Sequence, residues 1–117
     1  MKLIFLINDN PELIDKIKEH KDDINKQNTQ GWTALMIACR HSNKFFSIKI
    51  IRELINCGAN MDVQDSSGWT ALMMACRYSN CDSNFETVKL LIESGANIDM
   101  QDDEGWITAL VLKNGPA

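Results

Sequence analysis

Apolar and polar positions alternate along this chain in blocks, and the blocks recur. Phe85, Val88, Leu91 and Ile92 stand at the spacing that lines one side of a helix. Ile48, Ile51, Leu54 and Ile55 form the same stripe one step earlier. Each of these predicted helices runs into a glycine, Gly58 or Gly95, as expected where the backbone must turn left-handed to stop. Ahead of each lies a second kind of block. Ala34–Cys39 and Ala71–Cys76 read Ala-Leu-Met-x-Ala-Cys, a run of high helix propensity. Thr33 and Thr70 precede them as N-caps, whose hydroxyls can accept from the free N–H groups of the first turn. The stripe here is narrow: Leu35 with Ala38 and Cys39, and Leu72 with Ala75 and Cys76. Small side chains of this kind let neighbouring helices approach closely. Between helix pairs, Met61, Val63, Ile98 and Met100 alternate with polar residues and predict a turn with β-like alternation.

The period decides how these elements assemble. Gly31-Trp32-Thr33-Ala34-Leu35-Met36 reappears 37 residues on as Gly68-Trp69-Thr70-Ala71-Leu72-Met73, and Gly105-Trp106 follows at the same step. Gly58-Ala59-Asn60-Met61-Asp62-Val63-Gln64-Asp65 likewise reappears as Gly95-Ala96-Asn97-Ile98-Asp99-Met100-Gln101-Asp102. A weaker copy runs from Lys21 to Asn28. Two separate blocks that share one period indicate a stacked repeat architecture. Ile51, Leu54, Val88, Leu91 and Ile92 are expected to be buried in it, together with Leu35, Ala38, Leu72 and Ala75.

Gly-x-Thr-Ala-Leu-x-x-Ala-Cys, a Val-Lys-Leu-Leu-Ile helix, and Gly-Ala-Asn-x-Asp-x-x-Asp-x-x-Gly together resemble the ankyrin repeat over nearly the whole chain. The resemblance implies an all-α helical solenoid, with helix-turn-helix units joined by β-hairpin-like fingers. Units are expected at about 1–28, 29–65 and 66–102, with a truncated one at 103–117, in a single domain. The first helix of the first unit would span about Lys2 to Ile7, with Pro11 a suitable opening residue for the second. Three features depart from the family pattern. Thr-Pro-Leu-His is here Thr-Ala-Leu-Met. The period is 37 where the family has 33, which places the extra residues around Ser42–Ser47 and Ser79–Asn84. The last unit carries an additional Ile107. The wording of the repeats also resembles ankyrin proteins of giant viruses of amoebae and of some protists.

Composition narrows the function. The net charge is −4 and the pI about 5.0, which argues against nucleic acid as a partner, since that needs a basic surface. It equally argues against an anionic membrane surface. The apolar run Leu3–Ile7 is too short for a signal core or a membrane span. A cytoplasmic location is therefore expected, the host cytoplasm if the source is viral. Four cysteines without a C-x-x-C read as reduced thiols. Cys39 and Cys76, at equivalent positions, read as small packing residues rather than metal ligands. His20 and His41 sit at helix ends, in no nucleophile or metal motif. No cofactor, metal or catalytic residue is expected.

What remains is recognition. The resemblance implies a protein-interaction module that grips another protein through a concave face of fingers and first helices. The residues it places on or beside that face are Trp32, Arg40, His41, Trp69, Arg77, Tyr78 and Trp106, with finger tips at Thr29, Gln30, Ser66, Ser67, Asp103 and Glu104. Trp, Tyr and Arg are enriched at interface hot spots. The three tryptophans also read as a structural ladder of stacked indoles, a role that can coexist with partner contact and that their repetition in every unit favours. The inserted loops, with Phe45 and Phe46 in one and Cys81 and Asp82 in the other, are further candidates for specificity. Two alternatives stay open: a structural segment of a longer scaffold, and self-association through an apolar C-terminal edge at Ala109–Leu112.

Overall fold

A computed structural model describes residues 13–40, 48–77 and 85–107. Five helices occupy them: α1 (Leu13–Glu19), α2 (Ala34–Arg40), α3 (Ile48–Asn56), α4 (Ala71–Arg77) and α5 (Phe85–Glu93). No strand occurs among the described residues. The expected helix at Lys2–Ile7, the inserted loops and the Ala109–Leu112 edge lie outside them.

The helices form two layers. α2 packs on α4 in an inner row, and α1, α3 and α5 follow one another in an outer row. α2 joins α3, and α4 joins α5, across the layers. The inner row is almost wholly interior: Ala34, Leu35, Met36, Ala38 and Cys39 are buried in α2, and Ala71–Cys76 throughout α4. This is where the run of small and unbranched residues acts, since an alanine-rich helix can be enclosed on most sides. Thr33 and Thr70 cap as expected, accepting the N–H of Met36 and of Met73 at 3.3 Å.

In the outer row Ile51 and Leu54 of α3, and Val88 and Leu91 of α5, are buried as expected. Ile92 is not: it is 48% exposed. Helical spacing places Ile92 on the apolar stripe, but that part of the stripe faces away from α3. Thr87, fully buried, takes the inward position instead.

Each outer helix ends by the same device. Gly58 and Gly95 adopt φ +99°. Their N–H groups bond to Ile55 and Ile92, and the next N–H reaches back from Ala59 to Leu54 and from Ala96 to Leu91. Four carbonyls that the helices leave open are thereby satisfied. Lys21 stands at the equivalent place after α1, where a left-handed backbone is costly for a side chain. The chain there forms a short 3-10 turn, Lys21–Asp23, and buries Ile24. His20, at the end of α1, bonds through Nδ1 to the Lys16 carbonyl at 2.9 Å.

The fingers are tight turns stacked side by side. Asn28, Asp65 and Asp102 each bond backbone to backbone with the tryptophan four residues on. Each also accepts two N–H groups of its own turn through Oδ1. Successive fingers are bonded to each other: Ser66 N–H to the Gln30 carbonyl at 3.1 Å, and Asp103 N–H to that of Ser67 at 2.9 Å. A glutamine ladder doubles the link. Gln27 donates to the carbonyls of Gly31 and Gln64, and Gln64 in turn to those of Gly68 and Gln101. Gln64→Ala removes both bonds of the central rung at a solvent-exposed site. The expected cost is about 1 kcal/mol of stability, read by urea denaturation, with the helices unchanged by circular dichroism.

Candidate partner-binding surface

An open groove of about 140 Å³ lies between finger residues and the inner helices. Trp32, Asp65, Ser67 and Trp69 line it from the fingers, and Arg40 and Met74 from α2 and α4. Four of the residues singled out in the sequence, Trp32, Arg40, Ser67 and Trp69, are thus brought together. The period makes this happen: Arg40 ends the helix that begins just after Trp32, and Trp69 repeats Trp32 one unit on.

The polar contacts in the groove are specific. The Trp32 indole N–H donates to Asp65 Oδ2 at 3.1 Å. Asp65 Oδ1 accepts the N–H groups of Ser67 and Trp69, each at 2.9 Å. One carboxylate therefore shapes a finger and holds the indole of the preceding finger. The Arg40 guanidinium lies over the Trp32 ring, 5.5 Å from its centroid, within the range of a cation–π contact. Asp65→Asn keeps the turn, since Asn28 builds the same turn one unit earlier, but sets an amide where the indole needs an acceptor. The expected result is a native fold, a shifted Trp32 fluorescence maximum, and a loss of about 1 kcal/mol. An unchanged emission spectrum counts against the bond.

The other sequence candidates fall around this groove. Arg77 ends α4, half-buried, one period from Arg40. Trp106 is exposed. Thr29, Gln30, Ser66, Ser67, Asp103 and Glu104 are all exposed at the finger tips. The tips change from neutral in the first two fingers to acidic in the third. His41 and Tyr78 lie outside the described residues, as do Phe45, Phe46, Cys81 and Asp82. Asp65 and Met74 were not singled out in the sequence. The repeated Gln-Asp before each finger was a signal for Asp65. Met74 differs from its counterpart Ile37, and that difference was the signal for it.

Two of the described cysteines are placed as packing residues. Cys39 and Cys76 are buried in α2 and α4. Burial pushes the Cys76 thiol up to about 11 and raises that of Cys39 as well. Cys57 is only half-buried; burial and then the neighbouring Glu53 charge raise it too. Native-state alkylation near neutral pH is therefore expected to reach Cys57 ahead of Cys39 and Cys76, with Cys39 labelled only on unfolding. Peptide mapping after iodoacetamide treatment reads the order directly. Among the described residues no group of three or more His, Cys, Asp or Glu side chains is placed to hold a metal ion. No described helix is long and apolar enough to cross a membrane.

The model of three-copy ankyrin repeats matches residues 3–110. The chain belongs to the ankyrin repeat family. Three ankyrin repeat proteins of Acanthamoeba polyphaga mimivirus are among its relatives. One is 40% identical over 57 residues, covering 49% of this chain and 10% of the relative. Another is 37% identical over 68 residues, 53% of this chain and 12% of the relative. The third is 40% identical over 67 residues, 54% and 11%. The chain thus spans about a tenth of the length of these relatives. Ankyrin units are generally non-catalytic modules that bind other proteins. The likeness to giant-virus ankyrin proteins agrees with the wording of the repeats.

Proposed function

We propose that this ankyrin chain is a protein-binding module that engages its partner through the face formed by the fingers and inner helices. The observation that supports the reading is the groove itself. Two indoles, a buried methionine and an arginine converge there, and Trp and Arg are among the residue types in which interface binding energy concentrates. Arg40 can offer a planar fork to a carboxylate, and Arg77 repeats it one unit on. The acidic tip at Asp103 and Glu104 suits a basic end of the same ligand. The partner segment in this proposal is apolar or aromatic, with acidic residues near Arg40 and Arg77. The setting is the cytoplasm, where the thiols of Cys39, Cys57 and Cys76 stay reduced.

A second reading, a segment of a longer ankyrin scaffold, is favoured by the length of the relatives. The test separates binding face from scaffold. Partners are captured from amoebal cytosol on immobilised protein and quantified by mass spectrometry. Arg40→Ala and Arg77→Ala are each expected to reduce capture about fivefold or more, while Lys49→Ala on the outer row leaves it unchanged. Trp69 is not replaced here, because its indole also packs against the core. Capture that survives both arginine changes but is lost with Lys49→Ala contradicts the proposed face.

A further inference from the structure

The two indoles of the finger groove repeat one another in sequence but are not bonded alike. Trp32 is committed to the fold: its N–H donates to Asp65 Oδ2 at 3.1 Å, and the Arg40 guanidinium lies over its ring. Trp69 stands one period on, and Asp102 repeats Asp65 there. Asp102 Oδ1 accepts the N–H groups of Glu104 and Trp106, as Asp65 Oδ1 accepts those of its own finger. The indole bond is not repeated. Among the described residues the Trp69 indole N–H has no acceptor and its ring carries no cation. The side chain is half-buried, and its nitrogen is open to solvent.

An indole N–H can only donate. A partner that covers Trp69 must therefore bring an acceptor, or it strands the donor away from water. The rest of the groove says which acceptor fits. Asp65 already takes three N–H groups, and Arg40 is the cation of the lining, so a carboxylate is suited and a second donor is not. The apolar walls are the two rings and Met74, which suit an aromatic side chain. At about 140 Å³ the groove is smaller than pockets that enclose cofactors or metabolites and of a size for a single side chain. We propose that Trp69 is the recognising indole of the finger face, donating to the carboxylate of an acidic side chain that adjoins an aromatic residue in the partner segment. Trp32 is the fixed wall of the same groove. The inference rests on the proposed finger face and adds to it separate roles for the two tryptophans.

The tryptophans report on themselves. Each gives one indole signal in a nitrogen–proton correlation spectrum, assigned by Trp32→Phe, Trp69→Phe and Trp106→Phe in turn. Two folded variants of the three are enough for the assignment, so a fold lost in one does not prevent it. The probe is the blocked dipeptide acetyl-Glu-Phe-amide, and acetyl-Gln-Phe-amide is its control, of the same shape without the charge. Titration of the full native chain to about 10 mM is expected to move the Trp69 signal downfield and saturably, as for an N–H that gains a charged acceptor. The Gln probe is expected to bind at least about fivefold more weakly. Smaller shifts are expected at Trp32, whose N–H is already held, and at Trp106, which does not line the groove. A Trp69 signal that does not saturate overturns the proposal, as does equal affinity for the two probes or a shift as large at Trp106. Partner capture lost on Arg40→Ala and Arg77→Ala, with no response at Trp69, would leave the finger face standing and overturn this inference alone.

Discussion

Leu54→Ala is expected to lower the free energy of unfolding by about 2–5 kcal/mol, a large share of the stability of a domain this size. Leu54 is fully buried at the middle of the outer row. Its helix α3 packs on α1, α2 and α5, so few neighbours can move in to fill the space. The cost also spreads, since stacked units take much of their stability from their neighbours. Urea denaturation is therefore expected to show one cooperative transition at a lower midpoint. Ile92→Ala is the matched control. It removes a side chain of similar size from the same kind of helix, but a half-exposed one, and is expected to cost less than about 1 kcal/mol. Equal losses at the two positions would contradict the assignment of inner and outer faces.

Gly68→Ala is expected to be the more damaging of two chemically identical changes in the fingers. Gly68 and Gly105 have nearly the same left-handed backbone, φ +81° and +83°, so each pays roughly 1–2 kcal/mol for gaining a Cβ there. Their surroundings differ. A Cβ on Gly68 would stand 2.8 Å from Asp103 N and 2.9 Å from Asp102 Cα. These are backbone atoms that cannot step aside without parting the fingers. The bond from Asp103 N–H to the Ser67 carbonyl would be strained or lost with that movement. A Cβ on Gly105 meets nothing within 4 Å. The Gly68 variant is thus expected to lose at least about 1 kcal/mol more than the Gly105 variant, measured by urea denaturation. Equal losses would mean that the fingers are not in close contact.

The repeat was legible because its determinants are local. Glycines end the helices, threonines start them, and the 37-residue step of Gly-Trp-Thr-Ala-Leu-Met shows in the residues alone. Which part of an apolar stripe is covered is a different matter. Val88 and Ile92 share one face of α5, yet Val88 reaches the core and Ile92 does not. Spacing along one helix carries no information about where the adjacent helix lies. The finger contacts were half legible. Gln27, Gln64 and Gln101 stand out as a repeated letter, but their amides act across units, and that pairing needs the turns to be stacked. The tryptophans were legible as a set and not in their bonding. Trp32 is held by Asp65 at the far end of its own unit, where the next finger begins, and covered by Arg40. Both contacts join residues that only the folded repeat places side by side.

Neighbour-to-neighbour bonds lock the fingers into one continuous surface with the inner helices. Native-state hydrogen exchange of the finger amides tests it most directly. Ser66 N–H and Asp103 N–H each bond to the preceding finger, while Ser67 N–H and Glu104 N–H bond only within their own turns. Ser66 and Asp103 are expected to be protected together with the amides of α2 and α4, and Gln64→Ala to lower that protection. Exchange of Ser66 and Asp103 at the rate of an unstructured peptide, with α2 and α4 still protected, would contradict it.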